Sequence, residues 1–156
     1  MTPEAKLSVQ PETGQVVLLL AEAADLTGEG TGISGDQWDR AYGRYEAATI
    51  LLIESPDPDQ TEIAQAVSGL ARAATNHDQF DVLYQRSRAR CQRLLAKLER
   101  ARGPAHADLL AVIDALISLD EAAGEDTLVR GLTFRKSLIS AAHGSPHFGN
   151  DLASRR

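Results

Sequence analysis

Five cations fall on one line of one segment: Arg86, Arg90, Arg93, Lys97 and Arg100, spaced by four, three, four and three residues. At 3.6 residues per turn this spacing keeps all five along one edge of an α-helix. Arg88 and Arg102 lie close by, and between Asp81 and Asp108 the only acid is Glu99. Guanidinium and ammonium groups in a row can bind carboxylates on a protein surface or phosphates on a nucleic acid. The first reading is favoured by a sequence pI near 5.2, because a phosphate-backbone binder is normally strongly basic. The basic edge also lacks the aromatic side chains on which bases stack. The line can also be paired with acids of the preceding helix or left solvated; the partner expected, if it docks one, is an acidic protein surface, including the acidic half of a second copy, with nucleic acid as the alternative.

The other residue types that could do chemistry form weaker patterns. His77 and Asp81 stand one helical turn apart, but both sit in the first turn of the same helix. A helix-borne metal site needs further ligands on a facing helix, and the chain contains no Glu-x-x-His. His143 and His147 bracket Gly144-Ser145-Pro146, and His106 opens a later helix, so no metal or cofactor is expected. Cys91 lies in the middle of an apolar seam, where a thiol is a small buried group and not a nucleophile. The pairs Asp57/Asp59, Asp120/Glu121 and Glu125/Asp126 all fall near helix ends, where capping and the helix dipole account for them. Four glycines between Thr27 and Gly35 lack the preceding strand and the Gly-Lys-Ser/Thr end of a phosphate loop. With no catalytic set assembled, the chain is expected not to be an enzyme. A site around Trp38, Tyr42 or His77 is the only enzymatic alternative.

The element that must position the basic line is Asn76–Gly103. Phe80, Tyr84, Ser87, Cys91, Leu94, Leu98 and Ala101 alternate by four and three residues, which makes one apolar seam. Leu83 and Leu95 widen that seam to the width a bundle helix needs. The remaining chain reads as further helices. Gln15–Leu26 is apolar enough to be buried on most sides. Ser34 with Gln37 forms a capping box for a helix to Glu54, whose Ile50-Leu51-Leu52-Ile53 end predicts deep burial. Ser55-Pro56-Asp57-Pro58 stops it, and Asp57 is expected to cap a third helix with the core stripe Ile63, Val67, Leu70 and Ala74. Asn76 with Gln79 is expected to cap the long helix. Gly103-Pro104 should end it and open a fifth, carrying Leu109, Val112, Ile113, Leu116 and Leu119. A sixth follows from Asp126 to Ala142, with Leu128, Leu132, Leu138 and Ile139 as core candidates.

The fold expected is all-α: a single bundle of five to six mostly antiparallel helices around one long central helix. It occupies residues 11–143, with an arm at 1–10 and a loose tail at 144–156. The 156 residues suit one domain, no apolar run approaches the roughly 18 residues a membrane span requires, and one cysteine excludes an internal disulfide. Without an evident secretory signal, a cytoplasmic location is expected. The net charge of −6 hides a split. Residues 1–81 hold 14 acids and 4 Lys/Arg, a balance of −10, and residues 82–156 hold 8 and 12, a balance of +4. Such asymmetry bears on association. The expectation is a non-catalytic interaction or regulatory module, an oligomer or a subunit of an assembly, docking through the basic edge.

Overall fold

A computed structural model describes the backbone over residues 11–28 and 32–154, with side chains over 14–28 and 32–143. The arm at 1–10 and the middle of the glycine segment lie outside the described residues. Among those described, the chain forms six α-helices and no strand. They are α1 (Pro11–Thr27), α2 (Gly35–Glu54), α3 (Gln60–Thr75), α4 (Phe80–Arg102), α5 (Leu109–Ala123) and α6 (Asp126–Ser154).

The helix starts follow side-chain chemistry, modified by tertiary demand. At α2 the capping box forms: the Gln37 N–H donates to Ser34 Oγ at 3.1 Å, and the Ser34 N–H donates to Gln37 Oε1 at 2.9 Å. At α3 the cap is Asp59, two residues later than expected, accepting from the Glu62 N–H at 3.1 Å. Asp57 is drawn elsewhere, to Arg102 of α4 at 3.1 Å, and the same guanidinium donates to the Pro58 carbonyl at 2.6 Å. Asn76 ends α3 instead of starting α4. Its amide donates back to the Arg72 carbonyl at 2.9 Å, satisfying one of the carbonyls a helix terminus leaves free. The long helix therefore begins at Phe80 without a side-chain cap. Gly103, with φ of 100°, closes α4, and α5 opens only at Leu109 because residues 104–108 turn around the Arg102–Asp108 ion pair. Gly124, left-handed at φ 76°, ends α5 as a residue without Cβ can. The backbone of α6 continues helical to Ser154, beyond the expected end near Ala142.

The helix at the crossing of the bundle is α3, which packs against α1, α2, α4 and α5. Ile63, Ala66, Val67, Leu70, Ala71, Ala73 and Ala74 are all buried, so its small side chains let four neighbours approach. Gly69 makes the closest approach: a Cβ there would overlap the ring of Tyr45 on α2. The seam of α4 is buried as its spacing predicts from Leu83 to Leu98, through Tyr84, Ser87, Cys91, Leu94 and Leu95; at its ends Phe80 is half-buried and Ala101, expected inside, is exposed, because the helix runs past its neighbours there. Three expectations of deep burial are corrected. Helix α1 lies on the flank, with Val16, Leu20 and Ala23 inside but Val17 and Leu18 exposed. At the end of α2 only Leu52 is fully buried. On α6, Leu132 and Ile139 face the core, whereas Leu128 and Leu138 face solvent. A flanking helix has one neighbour side, so half of an apolar sequence must remain outside.

Candidate interaction face

Helix α4 carries the five expected cations, and the structure divides them. Arg86 forks onto Glu46 of α2, with Nε 2.7 Å from Oε2 and Nη2 bonded to Oε1. Arg90 adds its Nε to the same Oε2 at 3.1 Å. Glu46 is buried, and Arg86 above all, with Arg90, holds its carboxyl below the usual carboxylate range. The Arg86 guanidinium also lies 5.3 Å from the centre of the Tyr42 ring, a cation–π distance. Beneath it, Tyr42 Oη and Ser87 Oγ share a buried hydrogen bond of 2.8 Å. These two arginines tie α4 to α2.

Arg93, Lys97 and Arg100 are different. Among the described residues they make no ion pair. Arg93 and Arg100 are exposed and Lys97 is half-buried. The cause lies on α2, whose turns after Glu46 carry no acid until Glu54. The half of the line facing the first turns of α2 is neutralised, and the half beyond Glu46 keeps its charge.

The two neighbouring arginines are structural. Arg88 forks onto Asp120 of α5, Nε to Oδ1 at 2.8 Å and Nη2 to Oδ2 at 2.9 Å. The Tyr84 hydroxyl donates to the same Oδ1 at 2.6 Å. Asp120 has no exposed surface, and burial, reinforced by Asp120, pushes the Tyr84 phenol up to about 12. Asp120 lies in the last turn of α5 as its position suggests, but its carboxylate serves this buried cluster and not the helix end. A legible signal exists: it follows Leu116 by four residues on the core stripe and sits in a last turn, where the helix dipole disfavours an acid.

The enzymatic alternative is brought together in part. His77 Nε2 lies 2.9 Å from Asp39 Oδ1, and the imidazole edge meets the Tyr42 ring at 6.5 Å between centroids. The Gln79 N–H donates to His77 Nδ1 at 3.0 Å, which places the ring proton on Nε2, toward Asp39. Nδ1 thus serves the turn between α3 and α4, and Nε2 ties that turn to Asp39 of α2. Trp38 stands under Arg72, 5.1 Å from ring centre to guanidinium. An open cleft of about 540 Å³ separates α1 from α3, with Tyr45 and Gly69 at its floor and Glu62 at its rim. No group of three or more His, Cys, Asp and Glu among the described residues could hold a metal ion.

Cys91 is fully buried, and burial pushes its thiol up to about 12. Since the thiolate is the reacting form, the folded protein should resist iodoacetamide at pH 8 over hours, and denaturant should make Cys91 modifiable within minutes. Mass spectrometry after timed quenching reads this directly; rapid modification of the folded chain would contradict the burial.

Compared with known proteins, the chain matches no family model, no curated protein and no solved structure, so what the site does must be argued from its own residues.

Proposed function

We propose that this chain is a non-catalytic helical interaction module, an accessory or regulatory subunit of a cytoplasmic assembly, that docks an acidic protein surface through α4. The observation that carries this reading is the trio of exposed Arg93 and Arg100 with half-buried Lys97 on one edge, none of which makes an ion pair among the described residues. Most other arginines of the described chain are occupied by acids or carbonyls within the bundle. The module reads as an up-and-down bundle of mostly antiparallel helices. Pairs such as Tyr84–Asp120 with Arg102–Asp108, and Lys136–Asp114 with His143–Ala105, support this arrangement. Exposed charges of this kind steer association and set partner choice more than they set affinity. They also make binding sensitive to salt, because the Debye length is only about 8 Å at physiological ionic strength.

The test is a triple charge reversal, Arg93→Glu with Lys97→Glu and Arg100→Glu. None of the three makes an ion pair among the described residues and none is buried, so the melting temperature should change little. Proteins that co-purify with the wild type from its native cell should be depleted at least tenfold with the variant, and by raising salt. If every partner and the mass in solution stay unchanged in the variant, the reading fails. Capture of nucleic acid in place of protein would shift the conclusion to the phosphate-binding alternative.

A further inference from the structure

Beside the cations of α4 that make no ion pair among the described residues lies α6, joined to α4 through Arg135 and Glu99. Phe134 and Leu138 of α6 are 66% and 56% exposed, although large apolar side chains normally lie inside. Two ion pairs fix the rotation of α6. Lys136 reaches Asp114 of α5 at 2.7 Å on one flank, and Arg135 reaches Glu99 of α4 on the other. At about 100° per residue, Leu138 lies about 60° round the helix from Arg135 but about 160° from Lys136. Phe134 is likewise nearer Arg135, at about 100° against about 160°. Leu138 therefore stands on the outward side of the flank that Arg135 turns to α4, and Phe134 lies further round the same side, about 160° from the core-facing Leu132.

The same construction orients α4. From Glu99, the side toward the core carries Leu95, which is buried, and the outward side carries Gln92, Ala96, Arg100 and Arg93 in angular order. Gln92, Arg93 and Arg100 are exposed and Ala96 is half-buried. The Arg135–Glu99 pair thus joins two exposed strips, an apolar one on α6 and a cationic one on α4, with half-buried Ala96 between Glu99 and Arg100 on the α4 side.

We infer that Phe134 and Leu138 with Arg93 and Arg100 form one two-part docking face for a short acidic amphipathic helix of a partner protein. This deepens the proposed function and rests on it. Charge complementarity selects the acid of the partner, and the exposed Phe–Leu pair selects an apolar stripe beside that acid, as in other helix-on-groove recognition. The overall charge of −6 argues against an extended polyanion, which the acidic parts of the chain would repel. An acidic stretch confined to one short helix meets only the local cations.

The probe is a fluorescein-labelled 15-residue peptide with leucines at i, i+4, i+7 and i+11 and glutamates over the remaining surface. A composition-matched scramble spreads the leucines around the helix. With the full chain, anisotropy should show the amphipathic peptide binding at least tenfold tighter than the scramble. Phe134→Ser with Leu138→Ser, and separately Arg93→Glu with Arg100→Glu, should each weaken it at least tenfold, with melting curves confirming that both variants fold. Equal binding of the scramble overturns the inference. So does binding unaffected by the serine pair; if charge reversal still abolishes it, the cationic docking of the proposed function stands without the apolar half. Loss from neither variant overturns both. Tighter binding to phosphatidylserine vesicles or random duplex DNA than to the peptide also overturns it. Self-association of the wild type that the serine pair abolishes would overturn it in favour of a second copy as occupant.

Discussion

Asp120→Ala is expected to destabilise the protein by about 3–5 kcal/mol, the range found when one partner of a buried ion pair is removed. The carboxylate is wholly buried and accepts three hydrogen bonds, two from Arg88 and one from Tyr84. Its loss leaves a guanidinium with only 14% of its side chain exposed and a buried phenol without an acceptor. Both groups then lack the hydrogen bonds that water gave them in the unfolded chain, and neither can reach solvent without opening the α4–α5 contact. Denaturant titration at pH 7 should show the loss as a lower midpoint with an unchanged slope. Replacing the whole cluster by apolar side chains, Asp120→Leu with Arg88→Met and Tyr84→Phe, should recover most of the stability, because no polar group is then stranded. If Asp120→Ala costs under 1 kcal/mol, water reaches the cluster and the burial argument is wrong.

The second large effect concerns α3. Leu70 is fully buried in the helix that touches α1, α2, α4 and α5. Leu70→Ala should cost about 2–5 kcal/mol, through lost transfer energy and the cavity left behind. The upper part of that range is expected, since a site enclosed by several helices cannot relax toward any one of them without parting from another. Leu83→Ala, at the start of α4 where 7% of the residue still meets solvent, should cost less. The comparison is informative because both substitutions remove the same atoms. A larger loss at Leu83 would move the centre of the core from α3 to the head of α4.

The contrast between these sites shows how far the chain could be read unaided. Helix class was legible because periodicity is a local property: the four-and-three alternation from Phe80 to Leu98 needs only 3.6 residues per turn. The capping box of Ser34 and Gln37 was legible for the same reason, both partners being three residues apart. The cap at Asp57 was misplaced because its side chain had a competitor 45 residues away, Arg102; Asn76 had a local one, the Arg72 carbonyl four residues back, which serves the end of α3 instead of the start of α4. On α6 the sequence showed apolar residues but not which side had a neighbour, so Leu138 was assigned inward and lies outward.

The sequence by itself determined an all-α chain of five to six helices, one of which carries an oily seam beside a row of cations, since spacing along a single helix decides both. Which cations stay free was decided only by the tertiary structure. Glu46 stands 40 and 44 residues before the arginines that it neutralises, and Asp120 stands 32 after Arg88. Charge pairing depends on distances through space, and those exist only once the helices have packed.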